Sequence, residues 1–259
     1  MWEFDTTRFN VAGLPSYMFM AGTGLMVVLA IYPFLLLRKN CKIDVFMPRL
    51  LWSLPAIFIG AKLLGILLNI LKAIQNGTGI SKETFTQSGI IYYGGLIGII
   101  LAFLYLSKYK NYQEQLEINN AVDSFAILIP LFHIFGRIGC FLSGCCYGIE
   151  LKTHISVLYT ISSVENGISS SWRIPTQLIE ASFEFVIFVL LLFLFLKNIC
   201  QGKLLSIYLL VYSVGRFCLE FIRGDTVRGR FFFLSTSQWI SCCLFIYVII
   251  KLVKMEGNE

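Results

Sequence analysis

The sequence predicts an all-α polytopic membrane protein, with about seven transmembrane helices around a polar cavity in the outer leaflet. Three observations support this fold class. Hydrophobic residues make up 57% of the 259 residues and charged residues only 14%, against roughly 25% charged in soluble domains. Apolar stretches of about 20 residues, enough to cross a bilayer, recur along the chain. Two of them carry arginine well along the span, at Arg137 and Arg216; burial of arginine costs about 3 kcal/mol and commonly marks a site for an ion or a charged substrate.

These apolar stretches define the predicted spans, at about 17–37, 46–71, 89–107, 121–143, 178–197, 203–222 and 235–254. The second contains Pro48 and Pro55, so we expect a kink or break near its start. The length suits one compact bundle, so we expect a single domain over 1–259. The longest connection, about 144–177, is then an external loop that acts either as a lid over a cavity or as a passive linker.

Positive charges in the short loops predict the orientation. The loops expected in the cytoplasm hold Arg38, Lys39, Lys42, Lys108, Lys110, Lys197, Lys203, Lys251 and Lys254. The N-terminus is therefore predicted outside and the C-terminus in the cytoplasm. We expect no cleavable signal peptide, because MWEFDTTRF is acidic and lacks a small-residue cleavage site. The net charge of +6 fits an excess of Lys and Arg in the cytoplasmic loops. Because the chain has no block of basic residues, we expect no nucleic-acid partner.

The fourth span ends in IPLFHIFGRIGCFLSGCCYG (129–148), which contains Arg137. A guanidinium presents a fork of donors that matches phosphate oxygens. Gly136 and its neighbouring glycines allow a close approach of a helix or a ligand. The alternative is that the glycines serve helix packing while the arginine snorkels to the interface.

The sixth span ends in GRFCLEFIRGD (215–225), with Arg216, Glu220 and Arg223 spaced i, i+4, i+7. On a continuous helix these three side chains share one face. Two apolar helices that each carry buried arginine predict an anion inside the membrane protein. The alternative is a structural ion-pair network with Asp225, which would hold helices together.

Further candidate residues are predicted at the same outer depth. Tyr17 begins the first span, Glu180 begins the fifth, and Lys62 lies well along the second. The segment YYGGLIG (92–98) begins the third span and contains Tyr93, Gly94 and Gly95. One interpretation is that the glycines let a lipid approach the backbone; the other is that the aromatic residues form part of an interfacial belt. In PTQLIEA (175–181), Thr176 is a possible helix cap. His133 and His154 are weak candidates without metal-ligand spacing.

Eight cysteines occur in the chain, most of them in apolar runs. Cys140, Cys145 and Cys146 form a tighter set, which leaves thiol redox or metal chemistry open as an alternative function. A bridge from Cys140 to either neighbour is possible, whereas adjacent cysteines rarely pair. We otherwise expect no metal site and no cofactor.

Several segments together resemble the bacterial phosphatidylglycerol–prolipoprotein diacylglyceryl transferase family. The family signature is matched at Gly136, Arg137, Gly139, Phe141 and Gly148. Other resembling elements, kept in order along nearly the whole chain, are Asp123, GAKLLGIL with Lys62 in place of arginine, YYGGLIG, PTQLIEA, GRFCLEFIRGD and LSTSQW (234–239).

The chain also departs from the family pattern. Tyr93 stands where the family has histidine, and a phenol, whose ordinary pKa is about 10, is a poor base at neutral pH. Cys140 and Ser143 replace two asparagines, and Cys145 replaces a glutamate. The resemblance therefore implies a divergent GCCYG-type member whose acceptor side is partly rewritten.

The resemblance implies transfer of a diacylglyceryl group from phosphatidylglycerol to the lipobox cysteine of prolipoproteins, with release of glycerol 1-phosphate, at a bacterial plasma membrane. It implies catalytic roles for Arg137, Arg216 and Tyr93. Together with the depth argument above, we predict substrate contacts from Tyr17, Lys62, Gly94, Gly95, Gly136, Cys140, Glu180, Glu220 and Arg223. Two further alternatives are the same scaffold with a different acceptor and a lipid-binding protein without catalysis.

Overall fold

The computed structural model describes residues 2–5, 10–11, 14–75, 82, 85, 91–107, 112–163, 167–224, 230–231 and 233–256. The helices in this part of the chain are α1 Ser16–Arg38, α2 Ile43–Ser53, α3 Pro55–Gln75, α4 Tyr92–Leu106, α5 Tyr112–Leu142, α6 Thr176–Leu196, α7 Leu204–Leu219 and α8 Thr236–Glu256. A 3-10 turn, Glu220–Ile222, continues from α7. Within the described residues, six apolar segments are long enough to cross a membrane, and α4 is apolar but shorter. The predicted helical, multi-span membrane protein is confirmed, whereas the count of seven spans and the orientation stay predictions.

Many large apolar side chains on these helices point away from the protein interior. Met26, Phe34, Trp52, Phe58 and Tyr105 are each more than 70% exposed. A water-soluble protein rarely shows so much contiguous apolar surface. In a bilayer the same surface meets hydrocarbon, which fits the membrane assignment.

The second predicted span is broken where the prolines led us to expect it. α2 ends at Ser53, Leu54 forms a turn, and α3 begins at Pro55. Proline lacks an N–H and fits the first position of a helix, where that donor has no intrahelical partner. The Ser53 hydroxyl donates to the Leu50 carbonyl at 2.6 Å.

The chain divides into two compact units, Met1–Phe34 with Val122–Glu259, and Leu35–Ala121. In the second unit, α3 and α4 pack through small residues. A Cβ at Gly94 would collide with the Gly60 carbonyl oxygen, and one at Gly98 with the Ala56 carbonyl oxygen. Small residues let helix backbones approach closely in membranes.

The first unit contains short strands as well as helices. β1 Trp2–Asp5, β4 Val157–Ser163 and β5 Gly167–Arg173 form a sheet in the order β1-β4-β5. β1 is parallel to β4, and β4 is antiparallel to β5. Two small ribbons pair β2 Asn10–Val11 with β3 Leu14–Pro15, and β6 Arg230–Phe231 with β7 Leu234–Ser235. The predicted loop 144–177 therefore contains a β-hairpin that the sequence analysis did not anticipate.

Two polar motifs fix helix starts in the first unit. The buried Asp123 carboxylate accepts the backbone N–H groups of Gly202 and Leu204 at 2.6 and 3.1 Å, so it caps the start of α7 from a distant helix. At α8, Gln238 N–H donates to Ser235 Oγ at 3.2 Å and Ser235 N–H to Gln238 Oε1 at 2.9 Å. This reciprocal pair is a capping box, which explains the LSTSQW motif locally.

Candidate active site

The centre of the first unit is a charged cluster between α5 and α6. Arg137 and Glu180 are both buried, and Arg137 Nη2 lies 2.8 Å from Glu180 Oε1. Arg137 Nε donates to His133 Nε2 at 3.0 Å, one turn earlier on α5. Because arginine can only donate, His133 Nε2 must be the acceptor and Nδ1 carries the ring proton. That proton is directed at Glu184 Oε1, 2.8 Å away.

Arg223 joins this cluster from outside the helix on which it was predicted. α7 ends at Leu219, a 3-10 turn follows, and Arg223 is extended with φ −76°. The prediction that Arg216, Glu220 and Arg223 share one continuous helix face was wrong at Arg223. The cause is a backbone bridge between Arg223 and Gly148, with Ile149 N–H donating to the Ile222 carbonyl at 3.0 Å.

The Arg223 side chain is buried against Glu180. It is 3% exposed, and its Nη1 lies 3.6 Å from Glu180 Oε2. Glu180 thus faces two guanidiniums, one through each carboxylate oxygen. Glycine is required at Gly148, where a Cβ would lie 2.7 Å from the Ile222 carbonyl oxygen. The close backbone contact at Gly148 is what brings Arg223 to Glu180.

Arg216 forms the third buried guanidinium of the unit. It is 2% exposed, and its Nη2 lies 2.6 Å from Glu220 Oε2 and 3.4 Å from Ser237 Oγ. The capping box at the start of α8 fixes the backbone next to Ser237. Arg216 Nη1 is buried and has no hydrogen-bond partner among the described residues. A buried, unsatisfied guanidinium donor is costly unless an anion accepts from it.

The loop after α5 is held by the PTQ segment. Thr176 Oγ1 donates to the Cys146 carbonyl at 2.9 Å, and Gln177 Nε2 donates to the Cys145 carbonyl at 2.6 Å. Thr176 is therefore not the helix cap considered from the sequence: Pro175 occupies that position, without a side-chain cap bond. Both side chains are 1% exposed.

Gln177 is itself oriented by a tyrosine. Tyr159 OH donates to Gln177 Oε1 at 3.2 Å. Burial raises the pKa of Tyr159, so its phenol stays protonated and remains a donor. With Oε1 occupied, the Gln177 amide directs its NH₂ at the loop.

The remaining predicted site residues of the first unit surround the same loop. Tyr17 is half-exposed and close enough to Arg137 and Cys140 to interact with both electrostatically. Gly139 lets the start of α1 approach, since a Cβ there would lie 3.2 Å from Tyr17 Cα. At Gly136 a Cβ would meet nothing within 4 Å, so helix packing does not require this glycine.

The other predicted site residues belong to the second unit, on α3 and α4. Tyr93 is 3% exposed and forms an edge contact with Tyr92. Gly94 and Gly95 both face α3. A Cβ added at Gly95 would lie 3.1 Å from Ile57 Cγ2. Lys62 is half-buried on α3. The structure gives the two glycines a packing role, and their predicted contact with substrate stays a prediction.

The cluster holds its guanidiniums in fixed positions, where they can donate hydrogen bonds to an anion. Glu180 orients Arg137 and Arg223, and Glu220 orients Arg216. The thiol at Cys145 is not a ready nucleophile: contact with Cys140 lowers its pKa, but contact with Cys146 and burial raise it, to about 11. The arrangement therefore suits stabilisation of negative charge on a bound group better than thiolate chemistry of its own.

Comparison with known proteins identifies the family. A family described as prolipoprotein diacylglyceryl transferase matches residues 8–254. The chain belongs to the prolipoprotein diacylglyceryl transferase family. A phosphatidylglycerol–prolipoprotein diacylglyceryl transferase of Clostridium tetani is 36% identical over 93% of this chain and 93% of the relative. Similar proteins of that name occur in Clostridium perfringens, 30% identical over 94% and 93%, and in Campylobacter hominis, 28% identical over 99% and 94%.

The family assignment confirms the resemblance drawn from the motifs, and the chain is a member of a transferase family. It does not favour a different acceptor, or thiol redox and metal chemistry, as the activity itself.

Sequence reasoning missed part of this family site. His133 was only a weak candidate in the sequence, yet it is buried and hydrogen-bonded to Arg137 and Glu184. A signal was available: His133 precedes Arg137 by four residues, and Glu184 follows Glu180 by four, so each pair shares a helix face. Thr176 and Gln177 gave no such signal, because their partners are backbone carbonyls of a distant loop.

Proposed function

We propose that this chain transfers a diacylglyceryl group from phosphatidylglycerol to the lipobox cysteine thiol of prolipoproteins, in a bacterial plasma membrane, and releases glycerol 1-phosphate. Family membership supports the substrate classes, since the relatives carry both in their names. The observation that carries the proposal is the buried arginine cluster, with Arg137 and Arg216 both fixed by carboxylates.

The reaction is a displacement at a glycerol carbon of the lipid. The acceptor thiol loses its proton to solvent, its sulfur forms a bond to this carbon, and the bond from the carbon to the phosphate oxygen breaks. The departing phosphate gains negative charge, which preplaced guanidiniums stabilise without reorganising in the transition state. Arg137 and Arg216 take this role, and the unsatisfied Nη1 of Arg216 supplies a donor for a phosphate oxygen.

The other predicted residues serve positioning and substrate contact. Glu220 orients Arg216, while Glu180 orients Arg137 and Arg223. Tyr93 orients the acceptor through a hydrogen bond, since it is a poor base at neutral pH. The proposed contacts with lipid or peptide come from Tyr17, Lys62, Gly94, Gly95, Gly136 and Cys140.

The test is a transfer assay with purified protein in vesicles of phosphatidylglycerol labelled in its headgroup glycerol. A lipobox peptide serves as acceptor, and the products measured are diacylglyceryl-peptide and labelled glycerol phosphate. Arg137→Ala and Arg216→Ala are expected to lower the rate at least about 100-fold, the loss typical when one preorganised donor is removed.

Arg49→Ala is the matched control. Arg49 is half-buried on α2 in the second unit, with its guanidinium 4.8 Å from the Phe46 ring centroid. It is not among the proposed site residues, so its loss should change the rate less than about twofold. Arg137→Lys tests whether positive charge alone is enough, since lysine keeps the charge but lacks the forked donors of the guanidinium. Equal rates for all four variants and the unmodified chain would contradict the proposal, as would folded protein that forms no product.

A further inference from the structure

Three cysteines of the first unit lie together at the end of α5. Cys140 is in the last turn of the helix, and Cys145 and Cys146 follow in the loop. Their three Sγ atoms all lie within 4.8 Å of one another. Three sulfur ligands at a metal-sulfur distance of about 2.3 Å in a tetrahedral site are separated by about 3.8 Å, so small side-chain movements close the set around one ion.

Hydrogen bonds hold the loop that carries these thiols in a defined conformation at the end of α5. Cys145 N–H donates to the Cys140 carbonyl at 3.1 Å, which closes the chain back on the helix end. Gly144 and Cys146 have positive φ, 61° and 63°, and the second value is unfavourable for a side-chain-bearing residue. The bonds from Thr176 and Gln177 then hold the carbonyls of Cys146 and Cys145.

We infer that Cys140, Cys145 and Cys146 bind a thiophilic divalent cation of the zinc class, with its fourth coordination position open to the acceptor thiol. Three protein ligands and one open position are the pattern of catalytic zinc sites, whereas structural sites use four. This inference rests on the proposed transferase function and supplies the step that it lacks, which is activation of the acceptor thiol.

The charges around the cluster favour this ion. Three thiolates and a divalent cation carry one net negative charge, and the Arg137 guanidinium is close enough to Cys145 to interact with it electrostatically.

The step balances as follows. The cation displaces one proton from each of the three cysteine thiols as it binds, and these protons pass to solvent. The acceptor thiol also releases its proton to solvent on binding at the fourth position and becomes a metal-bound thiolate. Its sulfur lone pair forms the carbon-sulfur bond at the lipid glycerol carbon, and the electron pair of the broken carbon-oxygen bond leaves on glycerol phosphate. The neutral thioether then dissociates, and the cation keeps its oxidation state.

The first experiment measures metal binding alone, on the full chain purified with reductant. Co²⁺ is added, and the thiolate-to-cobalt charge-transfer absorption is followed. We expect saturation at about one ion per chain. The double variant Cys145→Ser/Cys146→Ser should lower the Co²⁺ affinity at least about 100-fold, beyond the loss typical of a change outside the ligand sphere. Cys242→Ser/Cys243→Ser, an adjacent pair on α8, is the matched control and should bind as the unmodified chain does.

The second experiment adds the acceptor. A lipobox peptide should shift the visible cobalt spectrum of the unmodified chain, and the same peptide with serine for cysteine should leave it unchanged. Transfer should stop on chelation and return with Zn²⁺. Arg137→Ala should still bind Co²⁺, so metal binding can be scored when transfer is absent.

Three results would overturn the inference. These are full transfer by metal-free protein, a Co²⁺ spectrum without thiolate character, and a disulfide between Cys140 and either neighbour in the active enzyme. The first and third leave the proposed transferase function standing. Co²⁺ bound by the three thiols in a chain that never forms product would overturn the transferase proposal, and the role in acceptor activation with it.

Discussion

The two units of this chain bring apolar helices together by different physical means. In the second unit, α3 and α4 meet through Gly60, Gly94 and Gly98, whose missing side chains let backbone atoms touch. In the first unit, α5 and α6 are linked by buried charges, with Arg137 Nη2 2.8 Å from Glu180 Oε1. The glycine contact consists of packing alone. The charged contact carries a desolvation cost that packing does not require.

This difference provides a criterion for distinguishing structural from functional polar residues in a membrane protein. An ion pair that only joins helices needs no spare donors. The cluster of the first unit has three guanidiniums, and Arg216 Nη1 lacks a partner among the described residues. Carboxylates hold the guanidiniums in place, and the spare donor remains for an anion. Substitutions that act on one unit at a time can test this distinction.

The largest effect on stability is expected in the glycine contact. Gly94→Ala places a Cβ against the Gly60 carbonyl oxygen and 2.8 Å from Leu64 Cβ. Overpacking against backbone should lower the free energy of unfolding by about 3 kcal/mol. Gly22→Ala on α1 is the matched control, because a Cβ there meets nothing within 4 Å. Thermal unfolding in detergent micelles measures both.

Equal melting temperatures for these two variants would show that α3 and α4 do not depend on the glycine contact. If Gly94→Ala then lowered transfer without loss of stability, the predicted contact of Gly94 with substrate would gain support over its packing role.

A smaller effect is expected at His133, where two variants should differ in transfer. Its Nε2 accepts from Arg137 and its Nδ1 donates to Glu184, so it is a positioning residue for the guanidinium. Glutamine places a polar atom near the Nε2 position and asparagine near Nδ1. His133→Asn should therefore lower kcat about tenfold, equivalent to 1.4 kcal/mol, while His133→Gln retains most of it.

The two His133 variants serve as controls for each other. Both remove the ring from the same buried position, so their melting temperatures should agree. A purely structural role would lower kcat for both variants in proportion to lost stability. Equal kcat values for asparagine and glutamine would contradict positioning of Arg137 through Nε2.

The smallest effect on stability is expected at Gly136. A Cβ there meets nothing within 4 Å, so Gly136→Ala should leave unfolding unchanged or stabilise α5 by about 0.5–1 kcal/mol through backbone entropy. If Gly136 contacts substrate as predicted, transfer should fall severalfold in the vesicle assay. Unchanged transfer would remove Gly136 from the site and leave the arginine cluster intact.

The sequence by itself determined the membrane class, the approximate positions of the apolar helices and the family. Long apolar runs are a local property, and the described helices α1 and α3–α8 overlap the predicted stretches. Pro55 marked the break before α3 because a missing N–H acts at its own position. Arg137 and Arg216 were found because a charge in an apolar run is visible without knowledge of its neighbours.

Only the tertiary structure decided which residues these arginines meet. The spacing of His133 with Arg137 and of Glu180 with Glu184 places each pair on one helix face. A helix that is apolar on all sides gives no periodic signal for the face that it buries, so the contact between these two faces could not be read from the sequence. Arg223 left its predicted helix because the backbone bridge to Gly148 competes with helix continuation. The three thiols came together through bonds from Thr176 and Gln177 to distant carbonyls. Such contacts depend on how the chain returns to itself, which local sequence pattern does not encode.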